Sequence, residues 1–324
     1  MKILVTGSEG FVGKVLVTQL LDSGHEVEGI DRVKTSGLKY KLYLLDLATE
    51  ISLDATCYDL VIHCAAAKGD WDISDKEFYD DNVIATENLL DYVRKCGVKK
   101  IIHFSTVAIY SRDVTDGSES TKIEPDSVYG QTKLDSEILT RKYAEESGTP
   151  TVVLRPSVIY GQKNYANMFN LIQQLNRPLP FQINPVGIIK SHVSVRNVVD
   201  VVLRFSDPAY ALNGLEIYNL TERPYYSLNN MIGIICDELG VNPPKANLPI
   251  WLVAIPFGIL EFIGKLFKKD TGFTLDRLRK FSSSTHYTSE KLWSHTGKQK
   301  YSSESELRDM VKWFKERKND TTSS

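Results

Sequence analysis

The sequence predicts an α/β protein: a doubly wound parallel sheet followed by a smaller mixed α/β C-terminal domain. Two observations carry this. Over roughly the first 165 residues, short β-rich apolar runs alternate with segments of helical periodicity. That is the pattern of parallel strands buried on both faces and joined by crossover helices. Glycines stand where the first strand passes into the first helix, and an acid ends the second strand.

Taken in order, KILVT reads as a central strand. It leads through Gly7, Gly10 and Gly13 into GKVLVTQLLDS, a helix closed by Gly24. HEVEGID is the second strand and ends on Asp31. This βαβ unit suits a dinucleotide. A tight turn brings backbone N–H groups and a helix N-terminus up to a pyrophosphate, and a Cβ would block the approach. The glycine spacing is GxxGxxG rather than GxGxxG. Asp31 is placed to accept from the adenosine ribose hydroxyls, and its charge would repel a 2′-phosphate, which favours NAD over NADP. Arg32 leaves NADP open, because a guanidinium can hold that phosphate.

YKLYLLDLA is a third strand, ending at Asp46 and Leu47. YDLVIHCAAA is a fourth, ending on Ala65, Ala66 and Ala67, small residues that let a ligand approach the backbone. His63 within that run reads as a core histidine. NVIATENLLDYVRKCG is an amphipathic helix starting near Asn82, and KKIIHFST a fifth strand ending on Ser105 and Thr106. A polar loop leads to the helix of YGQTKLDSEILTRKYAEES, stopped by Gly148. TVVLRPSVIYG is the sixth strand and its exit. Tyr129 and Lys133 share a helix face if that helix begins before Tyr129. A phenol has a reference pKa near 10, so proton transfer at neutral pH asks for a shift of about 3 units, roughly 4 kcal/mol, which a nearby cation can supply.

Beyond about residue 165 the alternation loosens. Helices are expected at NMFNLIQQL, NVVDVVLRF, SLNNMIGIICDELG and SELRDMVKWFKER, strands at SHVSV and LEIYNLT, and a polar tail at KNDTTSS. The domain division expected is 1–165, with roughly 192–220 returning to it, and 166–324 mainly for the substrate. Residues 250–267 are apolar for almost a membrane span, but Pro256, Glu261 and Lys265 interrupt them. A buried or interfacial helix is expected there, without stable membrane insertion.

A net charge of −2 gives no electrostatic footprint for nucleic acid. The four cysteines show no CxxC spacing and read as reduced core thiols, with no metal site. The chain opens on a strand with no charged-then-apolar leader, so a cytoplasmic location is expected.

The motifs TGSEGFVG (6–13), GID (29–31), DL (46–47), HCAA (63–66), Asn82, FSTVAIY (104–110), YGQTK (129–133), LRPSVIYG (154–161) and HVSVRNVVD (192–200) carry a resemblance. In order and spacing the chain is similar to the extended short-chain dehydrogenase/reductases, the NAD-dependent epimerase/dehydratase group, over nearly its whole length. The resemblance implies a Rossmann domain binding NAD through Gly7, Glu9, Gly10, Phe11, Val12, Gly13, Asp31, Arg32, Asp46, Leu47, Ala65, Ala66, Ala67, Asn82, Ser105, Tyr129, Lys133 and Pro156. It makes Tyr129 the acid/base. Lys133 would bind the nicotinamide ribose and depress the Tyr pKa, and Thr106 would orient the substrate hydroxyl or carbonyl. It also implies a homodimer built on the Asn82 and Tyr129 helices.

Two departures matter. STVAIYS puts Val107 and Ala108 where the dehydratase branch has an acid pair, which argues against dehydration. Ser111 replaces a usual Gly. Lys190 stands where nucleotide-sugar enzymes of the family often carry an Arg that meets a substrate phosphate, and Arg277 is a second substrate-side cation. The expected substrate is therefore a nucleotide-sugar. A sterol-like alcohol is the alternative, since LPIWLVAIPFGILEFIGKLF resembles the 3β-hydroxysteroid branch. A non-catalytic dinucleotide-binding regulator is the lesser alternative, and the presence of Thr106, Tyr129 and Lys133 weighs against it.

Overall fold

The structure is a computed structural model. It describes all residues except 54–56, 69–72, 112–113, 178–180, 183–187, 211, 213, 245, 248–251, 253, 257, 262–283 and 323–324. Its centre is a seven-stranded parallel sheet made of β1 (Lys2–Thr6), β2 (Glu26–Asp31), β3 (Lys41–Leu44), β4 (Leu60–His63), β5 (Ile101–Phe104), β6 (Thr151–Pro156) and, later in the chain, Leu215–Leu220. In space the order is Leu215–Leu220, β6, β5, β4, β1, β2, β3. The order reverses direction between β1 and β4, where open α/β sheets form their ligand crevice.

The strands read as unbroken apolar runs because both sheet faces are covered. Ile3, Val5, Leu60, Ile62, Ile102 and Phe104 pack on one face, in a core shared with α1 (Phe11–Asp22). Leu4, Ile30, Val61 and Ile101 point the other way, into a core shared with α3 (Ala85–Cys96). Neighbouring residues of one strand thus serve opposite cores, as period-2 geometry requires. Before α3 the chain forms α2 (Asp75–Tyr79), capped by Ser74 and Glu77, and a π-helical turn over Asp80–Ile84.

Helix α4 (Val128–Ser147) starts one residue before Tyr129, where Ser127 caps it through Gly130 N. Tyr129, Lys133 and Glu137 therefore lie one above another. Gly130 lets α4 close on the turn at Val107–Ile109, since a Cβ there would sit 2.3 Å from Ala108 O.

The structure divides TVVLRPSVIYG, which reads as one strand in sequence. β6 ends at Pro156, and β7 (Val158–Tyr160) pairs with β9 (His192–Ser194) in a separate two-stranded sheet. The β6 ladder ends there: Ser157 N makes its last bond to the neighbouring strand at Leu220 O, 3.0 Å away, and Pro156 has no N–H for the strand on the other side. Between them lie α5 (Asn167–Leu175) and the short β8 (Phe181–Gln182), which pairs with β11 (Ala246–Asn247). Helix α6 (Val195–Ser206) covers the main sheet beside α1, and β10 (Leu215–Leu220) is its edge strand. Helices α5, α7 (Leu228–Leu239) and α9 (Ser303–Thr322) share a second core around Ile172, Ile235 and Val311. α8 (Glu290–Thr296) returns Leu292 and Trp293 to the main core.

Three expectations change. β3 stops at Leu44 rather than Leu47, because Asp46 turns the chain by accepting from Ala48 N (2.9 Å). The terminal helix continues to Thr322, through much of the expected tail. Cys57 is exposed, not a core thiol, since it lies outside the strands; all four cysteines are free. Among the described residues no helix is long and apolar enough to cross a membrane, and no cluster could hold a metal ion.

Glu306 of α9 is buried against Arg196 at 2.9 Å. Burial pushes its carboxyl up to about 7, against the opposing charge of Arg196. A carboxyl raised in the fold contributes stability that is fully present below its unfolded pKa of about 4.5 and lost as pH rises through 7. Denaturant unfolding of wild type and Glu306→Gln should therefore diverge between about pH 4.5 and 7, with wild type losing ground as pH rises. Parallel pH profiles would contradict this.

Candidate active site

At the C-terminal end of the sheet a cleft of about 1330 Å³ runs from the glycine turn to the second core. A single small-ligand site takes roughly 300–1,000 Å³, so two molecules can lie in it. Gly7 has φ +67°, a left-handed backbone, and a Cβ on it would meet Ala65 Cα at 2.8 Å. A Cβ on Gly13 would lie 2.0 Å from Gly7 O. The turn is thus pressed against both α1 and the exit of β4. Gly10 is the N-cap of α1 and has no side chain, so the first-turn N–H groups are left for an anion. This cradle fits a pyrophosphate.

Asp31 lines the cleft beyond it, fixed by Glu9 N (2.9 Å) and Val33 N (3.0 Å). A carboxylate accepts about four hydrogen bonds, so capacity remains for ribose hydroxyls. Arg32 is committed elsewhere. It donates in a fork to Asp81, at 3.0 and 2.6 Å, and lies 3.7 Å from Asp46. Asp81 lies 49 residues away from Arg32, so sequence reasoning missed it. The pair makes NAD, rather than a 2′-phosphorylated form, the better fit.

Gly7, Glu9, Gly10, Phe11, Val12, Gly13, Asp31, Arg32, Asp46, Leu47, Ala65, Ala66, Ser105 and Pro156 all line the cleft, with Thr106, Tyr129, Lys133 and Lys190. The Glu9 side chain turns to Tyr40 and Lys14, so its backbone is what shapes the turn. Asn82 and Ala67 stand behind the wall: Asn82 Oδ1 accepts from Ala67 N (2.8 Å), and its Nδ2 donates to Thr132 (3.0 Å). Asn82 therefore pins the β4 exit to α4. Arg277 lies outside the described residues. A lining residue that sequence reasoning missed is Lys68, directly after the Ala65–Ala67 run; it faces the Phe11 ring at 5.9 Å.

His63 is a buried structural residue, hydrogen-bonded to Thr6 (2.7 Å) and Thr86 (2.9 Å). Burial pushes its imidazole down to about 3, so it stays neutral. The void beside it, about 10 Å³, has room for no more than a water.

At the centre, the Tyr129 phenol is within hydrogen-bonding range of Thr106. Burial pushes the phenol above its ordinary value, and the Thr106 hydroxyl pulls it partly back. Lys133 is buried and donates to Phe104 O at 2.6 Å; burial pushes its ammonium down to about 8. The structure thus differs from the expected depression of the phenol. The Lys133 ammonium is held by a carbonyl, and desolvation of the phenolate dominates. Lys190, also lining the cleft, is likewise pushed down to about 8 by burial.

Asp31→Ala should weaken NAD binding by about tenfold or more, the loss of hydrogen bonds to a charged acceptor, and narrow the preference over NADP. Fluorescence titration of both nucleotides checks this, and unchanged affinities would remove Asp31 from the cofactor site.

Comparison with known proteins agrees with this geometry. Residues 3–220 match the model of the NAD dependent epimerase/dehydratase family. The chain is 27% identical over 298 residues to the N-acetyl-alpha-D-glucosaminyl-diphospho-ditrans,octacis-undecaprenol 4-epimerase of Escherichia coli O157:H7, covering 90% of this chain and 88% of that protein. It is 32% identical over 287 residues to the UDP-glucose 4-epimerase of Corynebacterium glutamicum, covering 78% and 87%. The fold superposes on a UDP-glucuronic acid 4-epimerase from Bacillus cereus in complex with NAD at a TM-score of 0.76 and 21% identity, over 98% of this chain and 99% of that one. The chain belongs to the NAD dependent epimerase/dehydratase family.

Proposed function

We propose that the protein is an NAD-dependent epimerase that inverts a secondary alcohol of a nucleotide-sugar, with Tyr129 as acid/base. The observation that carries this reading is Tyr129, Thr106 and Lys133 gathered in one cleft with the glycine cradle at its other end. Bound NAD supplies the hydride acceptor and donor for oxidation of the alcohol and re-reduction of the ketone. Tyr129 takes the hydroxyl proton and returns it, and Thr106 fixes the oxygen that loses it. Lys133 is the cation placed for the nicotinamide ribose.

The neighbourhood of Thr106 supports epimerisation over dehydration. Val107 and Ala108 line the cleft there, and neither can act as acid or base. Lys190 supports a substrate diphosphate, because an anion beside it would offset the burial that pushes its ammonium down. The names of the similar proteins favour a sugar diphosphate over a sterol. A homodimer through α3 and α4 belongs to the same reading; Ile138 on α4 is 49% exposed.

Tyr129→Phe should lower turnover of the accepted nucleotide-sugar by about 10²–10⁴-fold while leaving NAD affinity unchanged. A panel of UDP- and dTDP-sugars, assayed by conversion to the epimer, identifies that substrate. Turnover within a few-fold of wild type would sink the acid/base assignment. Lys190→Met should raise KM for the same sugar about tenfold or more and leave NAD affinity alone, the loss of a charged phosphate contact.

A further inference from the structure

The glycine turn carries an acid that a pyrophosphate does not call for. Glu9 stands between Gly7 and Gly10, lines the cleft, and keeps only 1% of its side chain exposed. A carboxylate adds nothing to an anion cradle, because like charges repel. Burial alone would raise the Glu9 carboxyl. Hydrogen bonds from Thr35 and Tyr40 and the ammonium of Lys14 overcome burial and hold the group below its ordinary value. Glu9 is therefore charged at neutral pH.

Its place is built by neighbouring elements. Lys14 of α1 meets Oε2 at 3.3 Å. Tyr40, on the connection from β2 to β3, donates to Oε1. The Tyr40 ring reaches this point because β2 has no side chain at residue 29: a Cβ on Gly29 would stand 2.6 Å from Tyr40 Cε2. Burial, the bond to Glu9 and the charge of Asp31 push the phenol above its ordinary value, so it stays a donor. Glu9 Oε2 accepts no hydrogen bond from the described residues, and the Lys14 side chain beside it is 55% exposed. The negative charge is thus only partly answered.

Asp31 is joined to the same residue, since Glu9 N donates to Asp31 Oδ2 at 2.9 Å. Whatever Asp31 receives from the adenosine ribose stands near two carboxylates. A hydroxyl suits that place. A 2′-phosphate, with a charge of about −1.5 to −2 at neutral pH, is repelled by both. Cations that could receive it are engaged, Lys14 with Glu9 and Arg32 with Asp81. We propose that Glu9 is a second selector of the cofactor: held in place by Tyr40, its charge excludes the 2′-phosphate of NADP alongside Asp31. Asp31 also accepts hydrogen bonds from the cofactor, whereas Glu9 acts by exclusion.

Fluorescence titration of wild type and Glu9→Gln with NAD and NADP tests this. AMP and adenosine 2′,5′-bisphosphate serve as competitors confined to the adenosine end. No sugar and no turnover are involved, so the test can fail while the epimerase reading stands, and the reverse. Glutamine keeps the size of the side chain and an acceptor for Tyr40, and removes the charge. The ratio of NADP to NAD affinity should rise about tenfold or more through tighter NADP, and the bisphosphate should gain on AMP by a similar factor. Tyr40→Phe keeps the carboxylate but unties it, and should raise the ratio by a smaller factor. Melting temperatures confirm that each variant is folded, and Glu9→Ala should show the same rise if the glutamine variant does not fold. A folded Glu9 variant whose ratio stays within about twofold of wild type overturns the proposal. So does a ratio that rises only because NAD binds more weakly, which would make Glu9 a contact of NAD instead of a selector.

Discussion

Beneath the cleft, Arg155 and Glu137 form an ion pair with 1% and 0% of their side chains exposed, and the placement of Tyr129 and Lys133 hangs from it. Glu137 Oε2 accepts from Arg155 Nε at 3.0 Å and from Ser105 Oγ at 2.6 Å, and its Oε1 accepts from Arg155 at 2.5 Å. The remaining guanidinium nitrogen donates to Tyr110 (2.6 Å), which donates to Asn219 (3.0 Å). One pair thereby joins α4, the end of β5, β6 and β10. Glu137 follows Lys133 by one helical turn, as Lys133 follows Tyr129, so anchoring Glu137 fixes the rotation of α4 about its axis. The phenol and ammonium are aimed by a residue that does not itself line the cleft. Burying two charges costs several kcal/mol per ion, and an apolar pair of similar volume is often as stable. Stability alone does not explain this pair; orientation does. Glu137 also acts on Lys133 directly, since its charge favours the ammonium against the burial that opposes it.

The cofactor end of the cleft was legible in the sequence because its determinants are local. Gly7, Gly10, Gly13 and Asp31 lie within one βαβ unit, and each answers to the backbone's own geometry rather than to a distant partner. The strands were legible for a related reason: both faces are covered, so Ile3, Leu4, Val5 and Thr6 of KILVT are all buried. Tyr129 and Lys133 were legible through helical spacing, and the structure adds the Ser127 cap that starts α4.

What the sequence concealed are partnerships between residues far apart along the chain. Arg32 reads as a potential phosphate ligand until Asp81, across the cleft edge, takes its fork. Asn82 reads as a cofactor residue, and its bonds to Ala67 and Thr132 make it a strut. Lys133 reads as the cation that lowers the phenol, and the Phe104 carbonyl holds it. In each case a polar group satisfied its hydrogen bonds with a partner that no local pattern names.

These partnerships share a direction: they fix the cofactor side of the cleft and leave the substrate side to other elements. Around Gly7, Asp31 and Lys133, polar side chains are tied to backbone or to each other, and the wall is set before any ligand arrives. On the far side, the lining comes from α5, α7 and the β9 region, where Met168, Leu228 and Met231 stand beside Lys190. A thioether and aliphatic wall with a half-buried cation adapts its shape more readily than a hydrogen-bonded one. The proposed proton transfer thus sits on the hydrogen-bonded half, and the half proposed to meet the sugar sits on elements whose packing can change without disturbing Tyr129. Function lives in sites carried by a fold, so the lining of that second half can change while the glycine cradle and Tyr129 stay in place.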